Sequence, residues 1–322
     1  MTGWKPVVPA SFFAIVLGTS GLGNSWRVAT RLWGLPAAIG ETIIAIGALI
    51  WLGLVALYIL KWIVAPAAAR AELDDPIQCC FVGLIGVAGM LVSVGVLPYI
   101  APAAFALFGL SAIFTFAFGL WRTGLIWRGG RAATTTTAVL YLPLVAGSFV
   151  CTTVLGAMGA TDWAQLTFGA GFFSCFFFND TATTEIYTAE PLVEPLRPTL
   201  GIQLAPPTVG AVAYLNATGS SGDIIVHAML GYGILQFILL VRMLPWITRR
   251  FVPSIWSFSF GITALATATE TLTLRGDKGA IAVLSMPTFV IANVLVGVFA
   301  VGTLMLLAQR RLLPAPAPLK AP

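Results

Sequence analysis

Charge is what this chain has least of: 9% of its 322 residues are Asp, Glu, Lys or Arg, where soluble domains carry about 25%. That shortage excludes a soluble globular protein, because a compact domain always leaves a large surface for polar groups to cover. Histidine is nearly absent, with His227 alone in the chain, so there is no His cluster to ligate a metal or serve a triad. The four cysteines, Cys79, Cys80, Cys151 and Cys175, lie inside apolar runs and form no CxxC or CxxH spacing. They read as small polarizable core residues, not as a disulfide framework or a metal site. No Walker loop, dinucleotide fingerprint or nucleophile–base–orienter set occurs, so no catalytic residue, no cofactor and no metal is expected. The net charge of +5 is too small and too scattered for a nucleic-acid partner. The N-terminus has one lysine before an apolar run and no small-residue cleavage signature after it, and reads as a first span rather than a removable signal.

What the chain has is apolar sequence, 58% of it, and lipid is the solvent in which that makes sense. About 20 apolar residues cross a hydrocarbon core of about 30 Å. Ten stretches qualify: Val8–Trp26, Ala37–Trp62, Ile77–Leu97, Ala101–Trp121, Ala138–Met158, Trp163–Phe178, Gly201–Leu215, Ile224–Ile247, Ile255–Leu272 and Ile281–Ala308. The sixth is short, and Pro206–Pro207 interrupts the seventh. The basic residues test the count. With ten spans, thirteen of the 17 Lys and Arg fall on the side of the termini, and only Arg27, Arg31, Arg275 and Lys278 fall on the other. The positive-inside rule then puts both termini in the cytoplasm.

The odd-numbered spans are rich in Gly, Pro and small polar residues. Gly18, Gly21 and Asn24 lie in the first, Gly86 and Ser93 in the third, Pro143 and Gly147 in the fifth, Pro206 and Gly210 in the seventh, and Gly261 in the ninth. The even spans are more uniformly Leu, Ile, Val and Ala. Irregular backbone within a membrane is tolerated where it is buried in protein or lines a cavity, so the odd spans are candidates for an inner ring. The other reading is that small residues simply let helices pack closely.

Five stretches carry a resemblance: Pro9–Arg27 (PASFFAIVLGTSGLGNSWR), Thr136–Phe149 (TTAVLYLPLVAGSF), Pro198–Pro206 (PTLGIQLAP), Leu230–Pro245 (LGYGILQFILLVRMLP) and Trp256–Ala266 (WSFSFGITALA). In this order and spacing the chain resembles the tellurite-resistance/dicarboxylate transporter family, to which plant slow anion channels and fungal malate permeases are related. The resemblance implies an all-α polytopic membrane protein with ten transmembrane helices, arranged as five helical hairpins around a quasi-fivefold central pore. It implies a homotrimer in the bacterial inner membrane, with small inorganic or organic anions as cargo. It also implies a phenylalanine on the ninth helix that plugs the pore, which falls on Phe260, with Phe258 as the second choice. An aromatic ring across a narrow pore would gate by dewetting, and Gly261 beside it would leave room for the ring to swing. The lining candidates are then Gly18, Gly21, Gly86, Ser93, Pro143, Gly147, Pro206, Gly210 and Gly261. No ring of Arg or Lys stands at mid-helix, so hydroxyls and helix termini would supply a weak field favouring anions. The function implied is a passive anion channel; the alternative is a proton-coupled C4-dicarboxylate or oxyanion carrier.

Ionisable residues inside spans are functional candidates by default. Glu41 and Glu270 lie near span ends and read as solvated interfacial groups, while Asp162 and Asp223 read as helix caps. One stretch departs from the family: Phe176–Thr188 (FFFNDTATTEIYT) turns polar where the sixth span should finish. The string Asn179–Thr188 equals a translation of a common sequencing-adapter oligonucleotide, AATGATACGGCGACCACCGAGATCTACAC. We read residues 176–188 as an assembly artefact inside a single transmembrane domain, which an independent genomic read decides, and residues 313–322 as a disordered cytoplasmic tail.

Overall fold

A computed structural model describes residues 7–75, 78–128, 142–188 and 194–313, and every element among them is helical. Side chains at 126–127, 176–188 and 195–196 fall outside that description, those of the adapter-like stretch among them, as does the tail from residue 314. The helices are α1 (Phe13–Trp33), α2 (Ala37–Val64), α3 (Pro66–Asp74), α4 (Gln78–Val82), α5 (Leu84–Val96) and α6 (Ala101–Trp127). They continue as α7 (Leu142–Ala157), α8 (Thr161–Thr188), α9 (Ala205–Thr218), α10 (Ile224–Ile247), α11 (Ser259–Leu274) and α12 (Ala280–Ala308).

Local chemistry sets the breaks. Gly34 (φ 68°) ends α1 and Gly219 (φ 65°) ends α9 in the left-handed conformation, which costs glycine little. Asp223 caps α10, its carboxylate accepting from the backbone N–H groups of Ile225 and Val226. Asp162, expected as a cap, instead sits within the first turn of α8. Pro206 and Pro207 do not interrupt a helix: they stand in the first turn of α9, where a missing N–H is harmless, and a 3-10 stretch over Glu194–Leu204 leads into it. A second 3-10 turn, Pro253–Phe258, precedes α11, and a third, Ala10–Phe12, precedes α1.

Five stretches are long and apolar enough to cross a membrane by length and composition: α2, α4 with α5, Ala101–Leu125 of α6, α10 and α12. Their burial separates them sharply. The α4–α5 span is 83% buried in its most apolar window, whereas α2, α6 and α10 are 22% and α12 is 17%. The last four therefore present Leu, Ile and Val outward, as lipid-facing helices must; Leu49, Leu110, Leu235 and Val283 are examples. Such a chain is a multi-pass membrane protein.

The buried helices pack in a closed sequence. α1 lies on α5, α5 on α7, α7 on α9, α9 on α11, and α11 returns to α1. Each also packs on its successor: α2 on α1, α6 on α5, α8 on α7, α10 on α9 and α12 on α11. Small residues set the approach. A Cβ on Gly18 would come within 2.2 Å of Ser259 Oγ, and one on Gly21 within 2.3 Å of Thr263 Oγ1, so α1 and α11 run side by side and parallel. Indole N–H groups tie layers together, Trp26 to Asn293 Oδ1 at 2.8 Å and Trp256 to Thr303 Oγ1 at 2.8 Å. At the N-terminal end, buried Lys61 pairs with Glu72 at 2.6 Å while Glu72 accepts from the Ala10 N–H. That pair fastens α3 against the entry to α1.

Candidate functional site

Between the five buried helices lies a cavity of about 600 Å³. α1 lines it with Gly21, Asn24, Arg27 and Arg31, and α5 with Leu91 and Val94. α7 adds Val150 and Thr153, α9 Val209 and Asn216, and α11 Phe260, Thr263, Thr267 and Thr271. The lining starts partway along each helix and runs to its C-terminal end, at Arg31, Leu97, Ala157, Asn216 and Leu274, so the five helices point their carbonyl ends the same way, toward the mouth. Phe260 stands at the inner limit of the lining and Arg275 at the outer, about 22 Å apart at 1.5 Å per residue.

Of the residues singled out from sequence, Phe260 and Gly21 line this cavity. Phe258 does not: it sits in the 3-10 turn against Gly201, where a Cβ would meet its ring at 2.3 Å. Gly18 faces Ser259 of α11, Gly86 and Gly147 face Thr115 of α6, and Gly210 faces Met229 of α10. Pro143 packs beside Gly83, Ser93 is buried and donates to Met90 O, and Pro206 is half-buried at the head of α9. Gly261 leaves no spare room for a swinging ring, because Leu204 fills that space; a Cβ there would lie 2.7 Å from Leu204 Cγ. Space for Phe260 to move must come from the cavity side.

The polar groups of the cavity divide into two kinds. Thr153, Thr263, Thr267 and Thr271 each donate their hydroxyl proton to a carbonyl of their own helix, four residues back. They turn lone pairs and methyls to the lumen, and would have to break a bond to donate to an anion. The expected hydroxyl contribution to an anion-favouring field is therefore weak. So is that of the helix termini, since the C-terminal ends at the mouth carry partial negative charge. The donors are two amides, Asn24, one of the small polar residues of the first span, and Asn216, which no sequence pattern singles out. Asn24 has no protein hydrogen-bond partner among the described residues, and Asn216 donates to Val212 O at 2.8 Å. The α11 side of the lining does have a signal in spacing: Thr263, Thr267, Thr271 and Arg275 recur every fourth residue, one stripe of one helix.

Three of the four basic residues on the minority side of the charge count, Arg27, Arg31 and Arg275, line the cavity. Arg27 is held by Glu41 through two bonds of 2.8 and 2.7 Å, and also donates to Val94 O and Gly95 O of α5. Tyr99 donates to the same carboxylate at 2.8 Å, and that bond pushes the Tyr99 hydroxyl above its ordinary range. Glu41 is thus a paired group at the mouth. Arg275 donates through Nη1 to Leu215 O (2.9 Å) and Ser220 O (2.8 Å), and no carboxylate pairs with it among the described residues.

Glu270 corrects the expectation of a solvated end group. On α11 it is fully buried against α1, with both carboxyl oxygens 3.0 Å from Ser25 Oγ and no cation paired with it among the described residues. It lies on the face of α11 turned to α1, away from the cavity stripe. His227 lies at the head of α10 and bonds Asp277 at 3.1 Å, apart from the cavity. Among the described residues no group of three His, Cys, Asp or Glu could hold a metal.

A bundle with lipid-facing outer helices and, between its buried helices, a cavity carrying arginines, asparagines and threonines on a largely apolar wall fits a membrane transport protein. The chain matches the family described as voltage-dependent anion channels, SLAC1, over residues 7–304, and belongs to it. It is similar to the tellurite resistance protein TehA homolog of Haemophilus influenzae, 28% identical over 305 residues, which are 94% of this chain and 92% of that protein. It is also similar to the S-type anion channel SLAH3 of Arabidopsis thaliana, 25% identical over 274 residues, 81% of this chain and 42% of that protein.

Proposed function

We propose that this protein is a passive anion channel, with ten transmembrane helices in five hairpins around a quasi-fivefold pore and Phe260 as its gate. The observation that supports it most is the shared cavity: all five buried helices contribute to it, and its inner limit on α11 is an aromatic ring. A ring at a constriction strips water from a permeating ion without offering bonds in return, so the closed state is a dewetting barrier. The chain assembles as a homotrimer in the bacterial inner membrane with both termini cytoplasmic, and passes small inorganic anions; tellurite, named in the relative, is an oxyanion for the same assay. Phe260→Ala should raise chloride or nitrate conductance in planar bilayers at least about tenfold, equivalent to lowering the barrier by about 1.4 kcal/mol. Unchanged conductance would remove Phe260 as the gate.

One observation favours a second reading, a proton-coupled dicarboxylate or oxyanion carrier. Glu270 is a buried carboxyl on the same helix as Phe260 and, among the described residues, bonds Ser25 alone, and a coupled carrier needs an ionisable relay. Anion uptake into proteoliposomes separates the two. Flux that follows the membrane potential at zero proton gradient supports the channel; flux that requires a proton gradient and is lost in Glu270→Gln supports the carrier.

A further inference from the structure

The outer half of the cavity presents an uneven set of cations. Arg27 is neutralised: Glu41 takes the Nε–Nη2 edge of its guanidinium, and both terminal nitrogens also serve carbonyls of α5. Arg275 is fastened differently. Only its Nη1 is engaged, and by two neutral carbonyls, Leu215 O and Ser220 O. Its Nε and Nη2 donate to no protein group among the described residues, and the residue lines the cavity. Leu215 immediately precedes Asn216, which lines the same cavity as Arg275. Asn24, unpartnered, lies farther in, level with Thr267, given that Gly21 abuts Thr263 and Ser25 abuts Glu270 on the parallel helix.

We infer that Arg275, with Asn216 of the same lining and Asn24 deeper in, forms an anion-binding site for planar oxyanions in the outer half of the cavity, and that Glu41 keeps Arg27 out of that site. The Nε–Nη2 edge of a guanidinium presents two parallel N–H groups that match two oxygens of a nitrate or a carboxylate. A spherical halide uses one such bond well and gains little from the second. The two carbonyl bonds hold the fork in place beforehand, so binding loses little side-chain freedom. The neighbouring threonine hydroxyls, committed to their own helices, do not compete as donors. The site supplies the class of cargo for the channel proposed above, and rests on that reading only for the claim that the bound anion goes on to cross.

Two measurements test it. In the Phe260→Ala background, proteoliposome uptake is measured against nitrate and chloride concentration, with Arg275→Lys as the variant. Lysine keeps the charge and can reach a carbonyl but has no fork. The half-saturating nitrate concentration should rise about tenfold, the loss of one charge-assisted bond, while that for chloride changes less than threefold and the maximal rates hold. Equal shifts for both anions would mean a general field or a structural role, and would overturn the site. The second measurement needs no transport. Purified protein in detergent is treated with phenylglyoxal, which modifies free guanidinium groups, and labelled arginines are read by mass spectrometry. Arg275 should label and be protected by nitrate, whereas Arg27 should label only in Glu41→Gln. Labelling of Arg275 indifferent to nitrate, or of Arg27 equally in both proteins, overturns the proposal. Should no variant pass any anion, the channel reading falls, and the protection experiment still decides the site.

Discussion

Single side chains at the ends of helices do much of the positioning in this protein, and Asp223 shows how. Its carboxylate accepts from Tyr214 of α9, from Ser220 and from two backbone N–H groups at the head of α10. The Tyr214 bond foremost holds the carboxyl below its ordinary range. A depressed folded-state value means that the stabilisation is complete above the unfolded value of about 3.9 and is lost as pH falls through the folded one. Asp223→Ala should therefore lower stability by about 1 kcal/mol near neutral pH, and the gap from the parent should close in strong acid; detergent-phase thermal melts across pH check both. Residues were unevenly legible beforehand. Asp223 as a cap followed from type and position, and Phe260 came from family resemblance. Glu270 was misplaced because nearness to a span end says nothing of the face it occupies. Asn24 is legible only as one small polar residue of the first span, and Asn216 not at all, because a lone amide in an apolar run carries no motif.

At the scale of the element, the division of labour between helices was visible in composition: Gly and small polar residues mark α1, α5, α7, α9 and α11, and uniform aliphatics mark their partners. What those glycines touch was not visible, since facing residues lie far away in sequence. Gly18 shows the consequence. With Ser259 Oγ 2.2 Å from where its Cβ would sit, Gly18→Val must push α1 off α11, at a cost of about 1–3 kcal/mol for overpacking. The variant should melt lower and reach the membrane in smaller amounts, while Gly53→Val, at a position with open space on α2, should do neither. The boundaries of the inner helices were also obscure, because hydropathy cannot distinguish an α-turn from the 3-10 stretches that precede α9 and α11. Those stretches extend the short helices: α9 has 14 residues, about 21 Å of rise, less than the hydrocarbon thickness of about 30 Å. Eleven residues of 3-10 helix before it make up the difference.

For the whole molecule, the charge count already held more than topology. Of the four basic residues that break the positive-inside majority, three, Arg27, Arg31 and Arg275, gather at the cavity mouth. A rule about insertion thus marks the lining of the cavity by its exceptions. The shared direction of the five buried helices has an electrical consequence. Each carries about half an elementary charge of either sign at its ends, so together they make the space between them, the path of the proposed channel, polar along its length, positive at the N-terminal end and negative at the mouth. A path with a built-in field is a rectifier. In symmetric solutions, anion current from the N-terminal end toward the mouth should exceed the reverse. Removing the positive charge of Arg275 with Arg275→Gln should steepen that asymmetry, most visibly in dilute salt where screening is weak. Current–voltage curves recorded with a known protein orientation measure it directly, and a straight line through the origin in both proteins would show that the aligned backbone leaves no imprint on the current.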